Sequence, residues 1–427
     1  MAVEQRASKA KPGPMAIRQG PRPLPYHLSL SSLTWMSSRA VLPIWKQGLP
    51  VWKPHVNGSP LAARHVALAE AVADRPLEDL NGVLEREIIR RAEAFGEAVE
   101  RYRRHPYRRD LPPGEAIWRE GSTELVDYGA FVPSASRADA VPLLVVPSLV
   151  NRAYILDLSA ETSLLRWLAA RGVRPFLVDW GRPGDVEREF GLADYVVGRL
   201  GRALERLTAA VDRPVLALGY CMGGILALGL ALRHPEKLQG LALLATPWDF
   251  HAGDPTQAAL LTATFPALLP AMGLARELSA DVLQTLFTSQ DPMLVLRKYL
   301  AFGRLDPESD RARRFVALED WLNDGVPLTK AVAQESFLSW YGENLTGRGK
   351  WQLGGRTVTP SALACPSFCV IPSQDRIVPP ASAEALASAL PRGAVLRPAT
   401  GHIGMVASLK APKQVWPPLL EWLQSQG

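Results

Sequence analysis

The chain has 427 residues, 47% of them hydrophobic, with 48 Lys and Arg against 42 Asp and Glu for a formal net charge of +6. That is enough apolar sequence for a large core, built as one big domain with additions or as two. The positive charge is dispersed, which excludes the concentrated basic face of a nucleic-acid binder and suits anionic small molecules. The 3 cysteines make no disulfide framework and no metal-ligand spacing, so a cytoplasmic setting without metal or other cofactor is expected. No apolar run reaches the length of a transmembrane segment, and the N-terminus lacks the apolar core of a signal peptide.

Residues 1–24, rich in Pro, Gly and Lys/Arg, read as a disordered basic head. Residues 25–114 read as a helical arm. Its first part, "LPYHLSLSSLTWMSSRAVLPIWKQGLPVWKP", gathers Trp35, Trp45 and Trp52, and its prolines are expected to break it into short pieces. Those tryptophans suit packing on the main body or docking to a partner or an apolar phase. From Pro76 to Tyr102 the apolar residues Leu84, Ile88, Phe95, Val99 and Tyr102 recur at helical spacing. The linker "RRHPYRRDLPP" then reads as a solvated basic edge.

Residues 115–249 change character. A hairpin-like pair, "AIWREGSTELVDYG", precedes short apolar strands alternating with amphipathic helices: "PLLVVPS", "RPFLVDWG", "PVLALG" and "LQGLALLAT". Such alternation predicts a mostly parallel α/β sheet with helices on both faces. It stops near Asp249 and resumes over residues 351–427 with "CPSFCVIPSQD" and "AVLRPAT". The intervening residues 250–350 are helix-like and read as a lid above the carboxyl ends of the strands.

The segment "VLALGYCMGGILALGLAL" holds Cys221 between Gly219 and Gly223 at a strand-to-helix turn. This is the spacing of the nucleophile elbow of the α/β-hydrolase fold, with Cys in place of Ser. The turn holds its central residue in a strained conformation above the sheet, and its flanks approach neighbouring backbone too closely for a side chain. The following helix turns its positive end toward the sulfur. A thiol needs a base, and in this fold the order is nucleophile, acid, histidine. Of the 7 histidines, His27, His55, His65 and His105 precede the sheet, His234 ends the helix after the elbow, and His251 opens the lid. His402, in "RPATGHIGMV", follows the last strand, and Asp375, in "CVIPSQDRIVPP", follows the resumed one. Cys221, Asp375 and His402 are therefore the expected catalytic residues. The oxyanion hole is expected from the backbone N–H of Met222 and one near Val150. Cys365 and Cys369 read as buried apolar residues.

Cysteine at the elbow favours transfer over hydrolysis. Acyl movement from a thioester such as acyl-CoA onto Cys221 exchanges one thioester for another, and passage to an alcohol then runs downhill. His402 serves as base for both steps, and Asp375 orients it. The motifs "VVPSLVNRAYILDL", "FLVDWGRP", "GYCMGG", "TPWDF", "QDRIVPP" and "GHIGMV" resemble, in order, those of polyhydroxyalkanoate synthases, most of all the catalytic subunit of the two-component class III enzymes. The resemblance implies polymerisation of (R)-3-hydroxyacyl-CoA, with the growing polyester on Cys221, His402 activating it and Asp375 acting on the incoming hydroxyl. It also brings in view a second synthase subunit, a homodimer and the surface of polyester granules. Arg376 stands where the family usually has His. The alternatives are a hydrolase on the same residues, either an acyl-CoA thioesterase or a polyester depolymerase, and a non-catalytic granule scaffold.

Overall fold

The computed structural model describes residues 17–47, 60–253, 255–289 and 291–427. They divide into two units: a helical one, from residues up to 107 together with 291–323, and a larger one from residues 108–290 and 324–427. Within the segment 250–350, residues 291–323 belong to the helical unit.

The helical unit consists of α1 (Leu24–Lys46), α2 (Pro60–Val72), α3 (Leu77–Arg104), α4 (Leu294–Phe302) and α5 (Asp310–Asn323). Pro43 lies inside α1, so this proline does not break the helix as expected; Pro50 and Pro54 lie outside the described residues. Near the carboxyl end of a helix a proline removes one hydrogen bond without interrupting a long run. The core joins Trp35 to Phe95, Val99 and Tyr102 of α3 and to Tyr299 and Phe302 of α4. The Tyr102 hydroxyl donates to Asp320 at 3.0 Å. The chain just before α1 is also held, since Arg18 pairs with Asp320 at 2.5 Å and the Arg22 amide donates to Asn323 at 2.7 Å. Arg18 and Arg22 of the basic head are thus tied to the helical unit; residues 1–16 lie outside the described residues, as does Trp52.

The larger unit is built on an eight-stranded sheet: β1 (Glu115–Glu120), β2 (Thr123–Asp127), β3 (Val141–Val146), β4 (Val173–Asp179), β5 (Val215–Tyr220), β6 (Leu238–Leu244), β7 (Ser367–Val370) and β8 (Gly393–Leu396). The spatial order is β1-β2-β4-β3-β5-β6-β7-β8. The first hairpin joins antiparallel, and every pairing from β4 to β8 is parallel. β3 and β5 are buried at every position. That burial is why they read as continuous apolar runs rather than alternating ones. The helix over residues 192–211 opens with a π-helical stretch, Asp194–Leu200, and continues as α-helix from Gly201 to Val211.

The linker around residue 109 is largely exposed, yet it is anchored through one arginine. Arg109 pairs with Asp157 at 2.9 Å, and Arg166 pairs with the same carboxylate at 2.7 Å. Asp157 is buried and also accepts from Tyr128 at 3.1 Å and Ser163 at 2.5 Å. A buried carboxylate is tolerated only when so fully paired.

Two glycines separate packing from propensity. A Cβ on Gly223 would lie 2.2 Å from the Val146 carbonyl oxygen, whereas one on Gly96, inside α3, would meet nothing within 4 Å. Gly223→Ala is expected to lower stability by about 1–3 kcal/mol, because the backbone it meets cannot rotate away. Gly96→Ala should raise it by about 0.5–1 kcal/mol. Urea unfolding of the two variants beside wild type checks the opposite signs.

Candidate active site

Cys221 follows β5 directly and caps the helix Met222–Arg233. Its φ is 56° and its ψ −128°, a conformation costly for any residue but glycine. Three close approaches hold it there. A Cβ on Gly219 would lie 2.4 Å from the Gly224 Cα, one on Gly223 would strike the exit of β3, and one on Gly224 would lie 1.9 Å from the Thr246 hydroxyl. The elbow therefore needs three glycines, and the third, Gly224, goes beyond the two read from the sequence. The Cys221 amide donates to the Leu244 carbonyl at 2.8 Å, which ties the turn to β6.

The structure brings Asp375 and His402 to this elbow from the turns after β7 and β8. His402 Nδ1 lies 2.7 Å from Asp375 Oδ2. The other carboxylate oxygen, Oδ1, accepts from the Ile377 and Val378 amides at 2.8 and 2.9 Å. Both residues are buried. Burial by itself lowers the pKa of His402. The negative charge on the Cys221 sulfur, with hydrogen bonds to Asp375 and Cys221, outweighs it and raises the imidazole from 6.5 to about 10. Such a raised histidine adds stability that is full below pH 6.5 and is lost as the pH rises through about 10.

The two expected oxyanion donors fare differently. The Met222 amide stands in the first turn of its helix, where N–H groups have no intrahelical acceptor. The Val150 amide instead donates to the Ser148 hydroxyl at 3.0 Å. The serine side chain folds back on its own loop and takes that hydrogen. The loop itself is anchored where Trp180 Nε1 donates to the Pro147 carbonyl at 3.0 Å.

Four other histidines have partners of their own, while His55 lies outside the described residues. His251 Nε2 faces the Tyr341 carbonyl at 2.8 Å, and His234 lies 3.8 Å from Glu236. His27 and His105 face the Arg22 and Pro307 carbonyls in the helical unit. Cys365 and Cys369 are buried, and burial pushes the Cys369 thiol up to about 12. Among the described residues, no group of three or more His, Cys, Asp or Glu is arranged to hold a metal ion.

Sequence reasoning missed an aromatic layer from the insertion. Phe250 stacks on Trp340 at 5.7 Å and meets Tyr341 edge-on at 4.8 Å, while Phe265 stacks on Phe337 at 4.8 Å. Phe337, Trp340 and Tyr341 belong to the π-helical stretch Glu335–Gly342, a geometry that often marks functional sites. Burial and the nearby Cys221 charge push the Tyr341 phenol up to about 12. The dense aromatics of "FLSWY" carry a signal, but its partner Phe250 lies some ninety positions earlier.

Charge on the sulfur is the first of the causes that raise His402, so Cys221→Ala should lower its pKa. Titration of the labelled imidazole by NMR in both forms checks this, and equal values would refute the coupling.

Residues 142–406 match the family model described as alpha/beta hydrolase fold, and residues 110–168 match that described as Poly-beta-hydroxybutyrate polymerase (PhaC) N-terminus. The chain is 31% identical over 322 residues to the poly(3-hydroxyalkanoate) polymerase subunit PhaC of Allochromatium vinosum, covering 74% of this chain and 89% of that one. It is 30% identical to the same subunit of Thiocystis violacea, with the same two coverages, and 28% identical to that of a Synechocystis species, covering 74% and 85%.

Proposed function

We propose, from the fact that the chain belongs to the poly(3-hydroxyalkanoate) polymerase family of α/β hydrolase fold, that it joins (R)-3-hydroxyacyl units of CoA thioesters into polyester through Cys221. The observation that carries this reading is the buried contact of His402 with Asp375 at 2.7 Å beside a cysteine at an elbow.

In the first step the Cys221 thiolate attacks the thioester carbonyl. The C–S bond to CoA breaks, and the leaving thiolate takes the proton from the His402 imidazolium. Acylation removes the negative charge that held that imidazolium up, so His402 becomes a base when a base is needed. In the second step the 3-hydroxyl of an incoming hydroxyacyl-CoA gives its proton to His402 and attacks the acyl-Cys carbonyl. The new C–O bond forms, the Cys221 thiolate leaves, and the chain is one unit longer on CoA. Transfer of that chain back to Cys221 releases CoA and completes a cycle.

Asp375 has both carboxylate oxygens engaged, one by His402 and one by two amides. That arrangement favours orienting the imidazole over acting directly on the hydroxyl. The Met222 amide faces the charge that develops on the carbonyl oxygen, for which one donor is typically worth about 2.7–4 kcal/mol. The aromatic layer of Phe250, Phe337 and Tyr341 favours an acyl chain over water, and excluding water decides between polymer and free acid. Acyl-CoA is the substrate in this reading, with no cofactor. No described helix is long and apolar enough to cross a membrane. A second synthase subunit, a homodimer and attachment at a granule surface remain part of the proposal.

Incubation with (R)-3-hydroxybutyryl-CoA should release free CoA thiol and form insoluble polymer, with neither product from Cys221→Ala. Thiol release with only soluble hydroxy acid would sink the polymerase reading in favour of a hydrolase. Asp375→Asn keeps the shape but presents an amide to Nδ1 and so favours the wrong imidazole tautomer. CoA release should fall by about 10⁴-fold while the melting profile changes little.

A further inference from the structure

The helical unit contains a cavity of about 540 Å³ between α1, α3 and α4. This size falls within the range of small-molecule sites. Its floor is apolar: Trp35, Ala98 and Leu296 are buried there, with Leu300 beside them. Its rim is basic, with Arg90, Arg91 and Arg101 from α3, Arg297 from α4 and Arg304 just beyond it. Glu97 is the one acidic residue among those lining it.

The arginines are held in different ways. Arg90 and Arg91 share Glu87, each at 2.7 Å, and Arg297 pairs with Asp291 at 2.6 Å. Arg101 donates to the Gly303 and Leu305 carbonyls at 2.8 and 2.5 Å, so its guanidinium is fixed at the end of α4. Among the described residues, Arg304 makes no side-chain hydrogen bond or ion pair. Five guanidiniums around one apolar floor leave a positive excess over Glu87, Glu97 and Asp291. Planar guanidinium donors match a carboxylate in paired geometry better than a lysine would.

We propose that this cavity binds an amphiphile with one anionic headgroup, a long-chain carboxylate, with its alkyl tail on the floor and its carboxylate among the arginines. Charge complementarity at the rim selects the head, and the buried floor selects the tail. The proposal concerns a site outside the Cys221 centre and stands whether or not the chain polymerises hydroxyacyl-CoA.

Calorimetric titration of the full chain with dodecanoate, kept below its micelle concentration, tests it. Saturable binding is expected, weakened several-fold by Arg304→Ala and at least tenfold by Ala94→Trp, which fills the cavity without touching a charge. Cys221→Ala should bind as wild type does, which separates this site from acyl binding at the elbow. If Ala94→Trp fails to fold by circular dichroism, Arg304→Ala combined with Arg91→Ala carries the same test. Absence of saturable binding, equal binding of dodecanol, displacement by inorganic phosphate or undiminished binding in the variants would each overturn the proposal. So would binding confined to phosphatidylglycerol vesicles, which would mark a surface contact and not a pocket.

Discussion

The candidate site depends on holding Cys221 at a positive φ, a conformation that Ala245, just past the neighbouring strand, shares. Cys221 at 56° costs about 1–3 kcal/mol relative to a relaxed conformation, and the surrounding structure must supply that. It does so by close packing on three sides: Gly219 against Gly224, Gly223 against the exit of β3, and Gly224 against Thr246 after β6. The Cys221 amide bond to Leu244 adds a fourth restraint. A turn fixed in this way cannot be built on an edge strand. β5 lies between β3 and β6 in the buried middle of the sheet, and the strain is tolerated because both neighbours over-determine the turn.

From that turn the electrostatics follow. Burial opposes a charged histidine, yet His402 is raised to about 10 because a negative sulfur lies next to it and Asp375 holds its other nitrogen. In the proposed reaction the same group answers to the state of Cys221 and serves as a base once the sulfur carries an acyl group. Asp375 is held in place by its two amide bonds, which is what an orienting carboxylate needs.

The insertion after β6 divides its labour. Part of it returns to the larger unit and lays an aromatic layer of Phe250, Phe265, Phe337, Trp340 and Tyr341. Residues 291–323 instead complete the helical unit, where Tyr299 and Phe302 share a core with Trp35 and Tyr102. A stretch that reads as one helical cap thus serves two cores, because α4 is amphipathic and finds its apolar partner in α3, some two hundred residues earlier in the chain.

The local pattern of this sequence determined the strand–turn–helix at Cys221, the order of Cys221, Asp375 and His402, and the parallel sheet between them. Each is written in short range, as apolar runs broken by glycine and as a polar residue just past a strand. Only tertiary structure decided the rest. It added Gly224 to the elbow, since what a missing side chain makes room for, here Thr246, is set by a neighbouring strand. It turned the Val150 amide to Ser148, a choice of loop conformation that no spacing encodes. It drew Arg109 out of an apparently solvated charge run to Asp157, and carried α1 through Pro43. Contacts between residues far apart in the chain depend on which surfaces meet when the core closes, and that is a property of the folded packing, not of any window of sequence.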